Sequence, residues 1–196
     1  MDTLKAEKRD MLTKAKKLRR EGYVTGNVFG RKIEGSVPVK IVRAEAERLL
    51  KTKKKGSQII LDVEGKQYDV LIKEIDFNSM KGQYEEVDFQ ALVSDEKVHS
   101  VAEVVLLHHD KLAGGIVQQV LEEIPYRALP AALVEKVEID HEKLKIGDVV
   151  KVGDLELASD KDIDLGIDPE EVVLSVGMPH NTDVEDVPAE PEAAEK

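Results

Sequence analysis

Gln58-Ile-Ile-Leu-Asp62-Val-Glu64-Gly65-Lys66-Gln67-Tyr-Asp-Val70-Leu-Ile-Lys73-Glu-Ile75 reads as two strands and a turn. Gln58–Glu64 and Gln67–Ile75 alternate apolar and polar side chains and are rich in β-branched residues, as a strand with one buried face requires. Gly65-Lys66 between them predicts a tight hairpin loop, with glycine in its first position supplying the positive φ of a primed turn. Outward from this hairpin, Tyr84–Val93 alternates again. Val87, Phe89 and Ala91 share one side, and Glu86, Asp88 and Gln90 the other. Upstream, Val24–Phe29 and Gly35–Val42 read as a strand pair around Gly30-Arg31-Lys32. Ala44–Lys51 reads as a short helix with Leu49 and Leu50 inward. Residues 3–21 read as a charged helix with an apolar stripe (Leu4, Met11, Ala15, Leu18), ended by Gly22.

The polar segment Ser94-Asp-Glu-Lys97 predicts a domain junction. Short strands follow at Val98–Leu107, Ile116–Leu121 after Gly114-Gly115, Val134–Ile139, Val149–Val152 and Val172–Val176. The expected architecture is therefore mainly β with a few helices, in two domains, 1–93 and 94–180. The acidic, Pro-containing tail 181–196 holds almost no large apolar residues and is expected to be disordered.

Charge divides the chain the same way. Residues 1–92 hold 20 Lys and Arg against 15 Asp and Glu. The remainder holds 9 against 25, so a net charge of +5 is followed by one of −16. Only the first half suits a polyanion. Its cations cluster at Lys8-Arg9 and at Lys14, Lys16, Lys17, Arg19 and Arg20, leading into the glycine-punctuated stretch Gly22–Gly30. Clustered long cations neutralise phosphates, and glycine lets backbone approach a sugar-phosphate chain. Lys51-Thr-Lys53-Lys54-Lys55-Gly56 reads as a solvated loop, with a phosphate contact as the alternative. Glu86, Asp88 and Gln90 are acceptors that could read base amino groups, or simply the polar side of an exposed sheet.

Catalytic and metal chemistry find little support. There is no cysteine, which fits a reducing cytoplasm. The first ten residues lack the apolar core of a secretion signal, and no apolar run reaches the length of a membrane span. The histidines show no H-E-x-x-H spacing, and neither a phosphate loop nor a G-x-S-x-G elbow occurs. Asp160–Glu171 places acids at calcium-loop spacing, but Leu165 stands where the sharp turn needs glycine. Strand-like Leu155–Ala158 and Val172–Val176 flank it. No enzyme activity, cofactor or metal is expected.

Several runs together carry a family resemblance. Leu18-Arg19-Arg20-Glu21-Gly22, Val28-Phe29-Gly30, Tyr68–Ile75 and Val87-Asp88-Phe89 lie in the first half. Gly114–Leu121, Ala128-Leu-Pro130, Ile146-Gly147-Asp148 and Val152-Gly-Asp154-Leu155 lie in the second. In order and spacing the chain resembles the bacterial large-subunit ribosomal protein that binds 5S ribosomal RNA, in its long two-domain form (the Ctc, or general stress protein, type). The resemblance implies an N-terminal β-barrel docking on the minor groove of the loop E region of 5S RNA, and a C-terminal β-rich domain. A wide, shallow A-form minor groove is read largely by shape. By resemblance Arg9, Lys16, Lys17 and Arg19 contact phosphates and groove edges. Phe29 lies beside the RNA, Asp88 accepts hydrogen bonds there, and Lys73 and Asn78 are close by. Glu86 stands where relatives often carry His. The implied partners are 5S RNA, the large subunit and its neighbouring proteins, with no membrane and a monomer off the ribosome. The implied location is cytoplasmic and ribosome-associated. The alternative is a stress-linked accessory protein with weakened RNA binding, acting through its acidic half on protein partners.

Overall fold

Leu4 and Ala6 are buried while Thr3, Lys5 and Glu7 are exposed, and this period of two makes Thr3–Lys8 a strand, β1. The computed structural model describes residues 2–33, 35–107, 116–140 and 144–178, and it corrects the helix expected over 3–21. Only Ala15–Arg20 is helical (α1), anchored by buried Leu18. Met11, assigned to the apolar stripe, is exposed. Its helical spacing from Leu4 is coincidental, because β1 takes its hydrogen bonds from strands on both sides. Gly22 follows α1 with φ +91°, the left-handed stop its sequence announced.

Five further strands complete a closed barrel: β2 (Tyr23–Phe29), β3 (Ser36–Val42), β4 (Gln58–Val63), β5 (Lys66–Asn78) and β6 (Gln83–Ala91). Their order is β1-β3-β2-β6-β5-β4, and parallel β1 and β4 close it. Closure leaves no free sheet edge. Val24, Val28, Ile41, Ile59, Leu61, Ile72, Val87 and Phe89 fill the interior, and helix α2 (Arg43–Leu50) packs Ala46 and Leu50 against them. The deciding hairpin is present, with its loop one residue earlier than expected. Val63 pairs with Lys66, so Glu64 and Gly65 form the loop with φ of 53° and 89°. Positive φ at both positions is the signature of a type I′ turn. The Gly65 N–H donates to Asp62 Oδ1 at 2.8 Å.

Gly26 lies within a strand, and its missing side chain serves the barrel. A Cβ there would stand 2.0 Å from the Val87 carbonyl oxygen, so only glycine lets β6 approach β2.

The second half contains β7 (Val98–Leu107), β8 (Ile116–Gln119), β9 (Glu123–Ala128), β10 (Lys136–Asp140), β11 (Val149–Lys151), β12 (Ile163–Leu165) and β13 (Val172–Gly177). They form a four-stranded sheet, β10-β7-β9-β12, and a three-stranded sheet, β11-β13-β8. Strands β9 and β12 escaped sequence reading. Pro125 interrupts β9, yet Ile124, Tyr126 and Ala128 keep the buried period of two. Leu155–Ala158, expected as a strand, instead leads into a single helical turn, α3 (Glu156–Ser159). Strand β12 occupies the middle of the stretch with calcium-loop spacing, and no acid or histidine cluster able to hold a metal occurs among the described residues. No helix among them is long and apolar enough to cross a membrane. Gly114-Gly115, His108-His109, His141, His180 and the tail 181–196 lie outside the described residues.

Buried Tyr126 ties the second core together. Its hydroxyl donates to the Val134 carbonyl at 2.9 Å and accepts the Val134 N–H at 2.8 Å. Tyr126→Phe strands both groups and is expected to cost about 1–3 kcal/mol, measurable by thermal melting.

The lysine run 51–55 joins the two halves rather than standing free in solvent. Lys53 Nζ lies 2.9 Å from Glu135, Lys54 pairs with Glu103, and Lys55 Nζ lies 3.8 Å from Glu123. Gly56 follows with φ +87°, and a Cβ there would meet the Val101 carbonyl oxygen at 2.2 Å. Each of these partly exposed pairs contributes about 1 kcal/mol or less. Reversing all three charges should nonetheless open the seam, because three attractions become repulsions. Faster limited proteolysis between residues 92 and 97, with an unchanged barrel melt, is the expected result for Lys53→Glu/Lys54→Glu/Lys55→Glu.

Candidate RNA interface

Helix α1 packs beside β2 through Leu18 and turns its cations outward. Lys14, Lys16 and Arg20 are exposed with no ion pair among the described residues, and there Lys17 has only a loose contact to Glu21, 3.8 Å away at the surface. Just before the helix, Arg9 Nη2 donates to the Thr13 carbonyl at 3.2 Å and braces the connecting loop. Its Nε is buried and has no hydrogen-bond partner among the described residues.

Arg19 is placed differently from its neighbours. Strand β6 bulges where Asp76 pairs with Glu86 while Phe77 pairs with Tyr84, which leaves Glu85 without a partner across the ladder. A bulge re-aims the extra residue. The Glu85 carbonyl accepts from Arg19 Nε at 3.0 Å, and its carboxylate lies 2.8 Å from Arg19 Nη1. Asn78 Nδ2 donates to the same carboxylate at 2.8 Å, and Lys81 Nζ lies 3.1 Å away. Hydrogen bonds from Lys81 and then Asn78 hold the Glu85 carboxyl below the usual glutamate range. Glu85 thus fastens α1 to the tip of the β5–β6 hairpin. At that tip Phe77 packs against Tyr84 with ring centroids 5.0 Å apart and the rings tilted by 56°, and Met80 projects into solvent.

The outward side of β5–β6 is acidic. Glu74 pairs with Asp88, and Asp76 with Glu86, directly across the ladder. Burial and then Asp88 push the Glu86 carboxyl up, while Arg19 and Arg9 oppose the shift. Asp88 Oδ1 accepts from the Asn27 backbone N–H at 2.9 Å and from Asn27 Nδ2 at 3.2 Å, tying β6 to β2. Phe29 is half-buried at the end of β2, opposite Gln90 of β6.

The structure brings Arg9, Lys16, Lys17, Arg19, Phe29, Asn78 and Asp88 to this side of the barrel. Lys73 lies elsewhere. A second bulge, between Ile72 and Glu74, turns it toward the other half of the chain, where its Nζ donates to the His99 carbonyl at 2.9 Å. Burial and the nearby Lys55 depress the Lys73 pKa. Sequence reading missed Glu85, although the succession Glu85-Glu86 breaks strict alternation and marks the bulge. It also missed Leu71, buried between Val70 and Ile72. Three apolar residues in a row signal a strand covered on both sides, and Leu71 lines the cleft toward the second half.

Comparison with known proteins places both halves in one family. The Ribosomal L25p family matches residues 4–89, and the C-terminal domain of ribosomal protein TL5 matches residues 97–180. The chain is 32% identical to the large ribosomal subunit protein bL25 of Listeria monocytogenes over 197 residues, covering 98% of this chain and 92% of the relative. It is 31% identical to that of Bacillus pumilus, covering 98% and 96%. For the Bacillus velezensis protein the identity is 29%, covering 100% and 97%.

Proposed function

Because the chain belongs to the bL25 family of large-subunit ribosomal proteins, we propose that its barrel binds 5S ribosomal RNA in the loop E region. The chain is a structural, non-enzymatic component of the large ribosomal subunit, associated with the ribosome in the cytoplasm. The observation that carries the RNA reading is the row of outward cations at the start of α1 and along it, Lys14, Lys16, Lys17 and Arg20, set beside the β2–β6 side of the barrel. Phosphates of an A-form helix would meet these cations, and β6 would face its shallow groove.

Within this reading residues 1–93 form the RNA-binding domain and 94–180 the acidic domain. Lys16, Lys17 and Arg9 neutralise phosphates. Arg19 and Asn78 are held by Glu85, so they position α1 and the hairpin tip against the RNA. Asp88 spends one oxygen on Asn27 and offers the other to a base amino or sugar hydroxyl donor. Phe29 supplies an apolar wall. Lys73 serves the seam between the halves. The protein binds as a monomer.

Fluorescence titration of labelled 5S RNA and of an unrelated RNA hairpin, at several salt concentrations, tests this. Selective binding to 5S RNA that weakens steeply with salt is expected. Equal, weak binding to both RNAs would overturn it.

A further inference from the structure

The second half carries a cleft of about 810 Å³ that RNA binding does not use. Strand β10 borders it. Among the described residues β10 pairs only with β7 and stands at the edge of its sheet. All five of its residues line the cleft, as happens when a cleft runs along a strand's open edge. The floor is apolar, with Ile139, Leu155, Leu157 and Ile163 just reaching the surface. The rim is acidic. Glu138, Asp154, Glu156 and Asp160 are exposed there, and none has a cation within ion-pair distance among the described residues. Lys136 is the one cation in the lining among the described residues.

We propose that this cleft receives a basic, extended segment of a partner protein, added as a strand beside β10. An open edge offers main-chain hydrogen bonds, and alternate side chains of an added strand point to opposite sides. Apolar residues of the segment cover the floor, while its lysines and arginines meet the rim carboxylates. The charge is selective. A half-chain of net charge −16 repels nucleic acid and a second copy of itself, and attracts basic protein. The inference does not depend on the RNA reading, since it concerns the other half of the chain.

The probe is an eight-residue peptide alternating lysine and valine, titrated into the isotopically labelled full chain and followed by NMR. Controls alternate glutamate with valine, and lysine with serine. Saturable binding in the micromolar range is expected, with shifts along β10 and α3. The lysine–serine peptide should bind at least tenfold more weakly, and the glutamate–valine peptide not at all. Glu138→Gln/Glu156→Gln/Asp160→Asn, all at exposed positions, should weaken the lysine–valine peptide at least fivefold. Ile139→Arg tests the floor separately and should abolish binding, its fold checked by the unshifted resonances of β8, β9 and β13 in the same half. No saturable binding would overturn the proposal. So would shifts elsewhere on the chain, or affinity unchanged in the carboxylate variant. Binding of an RNA hairpin at β10 would overturn it too.

Discussion

Gly26→Ala is expected to destabilise the protein by about 3 kcal/mol or more and to lower its melting temperature by roughly 6–12 °C. The added Cβ would stand 2.0 Å from the Val87 carbonyl oxygen and 3.1 Å from its carbon. These are backbone atoms, so no rotamer relieves the clash. Moving β6 away would break its pairing with β5 on the other side, and moving β2 would break its pairing with β3. The control is Gly22→Ala. Gly22 has φ +91° but open space around it, so only backbone strain of about 1 kcal/mol applies. Circular-dichroism melts of the two variants separate the cases. Equal melting temperatures would mean that β2 and β6 do not approach as described.

Neutralising Lys16 and Lys17 together is expected to weaken 5S RNA binding roughly tenfold at physiological salt and to flatten the salt slope by about one for each lysine. Both side chains are exposed, so the change leaves folding unaffected. Glu86→Gln should act in the opposite direction. Glu86 lies among Asp88, Asp76 and the cations Arg19 and Arg9, and its carboxyl is already pushed above the ordinary glutamate value of 4.5. Phosphates brought alongside push it further, so RNA binding takes up protons at this site. Affinity should then fall as pH rises from the raised value of the free protein through the still higher value of the complex, and Glu86→Gln should bind more tightly and lose that dependence. The sign for folding is the same. The native state holds this proton more tightly than the unfolded chain, so Glu86 opposes folding above its raised pKa, and that effect vanishes below 4.5. Titrations of the three proteins at two pH values and several salt concentrations check all of these expectations. A Glu86→Gln protein with unchanged affinity would place the RNA away from β6.

How much of this was legible in sequence depends on what kind of signal each element leaves. Strands with one buried side, such as β4 and β6, announce themselves by alternation, and so does the turn between β4 and β5. Strand β1 was hidden because Leu4, Met11, Ala15 and Leu18 mimic a helical stripe. What makes Thr3–Lys8 a strand is the pair of partners that barrel closure supplies, and partners are not written in a local window. Strand β9 was hidden by Pro125. For the candidate interface, the outward lysines of α1 could be read directly, since exposed cations need no partner to be functional. The fates of Arg19, Asn78 and Lys73 could not be read. Each is decided by a β-bulge that shifts one side chain by one position, and a bulge depends on the register between two strands. The lysine run 51–55 shows the same limit. Its composition fits solvent or phosphate, and only the tertiary fold brings Glu103, Glu123 and Glu135 to it.

The most direct test of the RNA assignment is NMR chemical-shift mapping of the isotopically labelled full chain titrated with 5S RNA. Shifts confined to the α1 segment Lys14–Arg20, Arg9, the end of β2 at Phe29, and β6 from Glu85 to Gln90 are expected. Shifts concentrated in β7–β13, with the α1 amides unmoved, would contradict it.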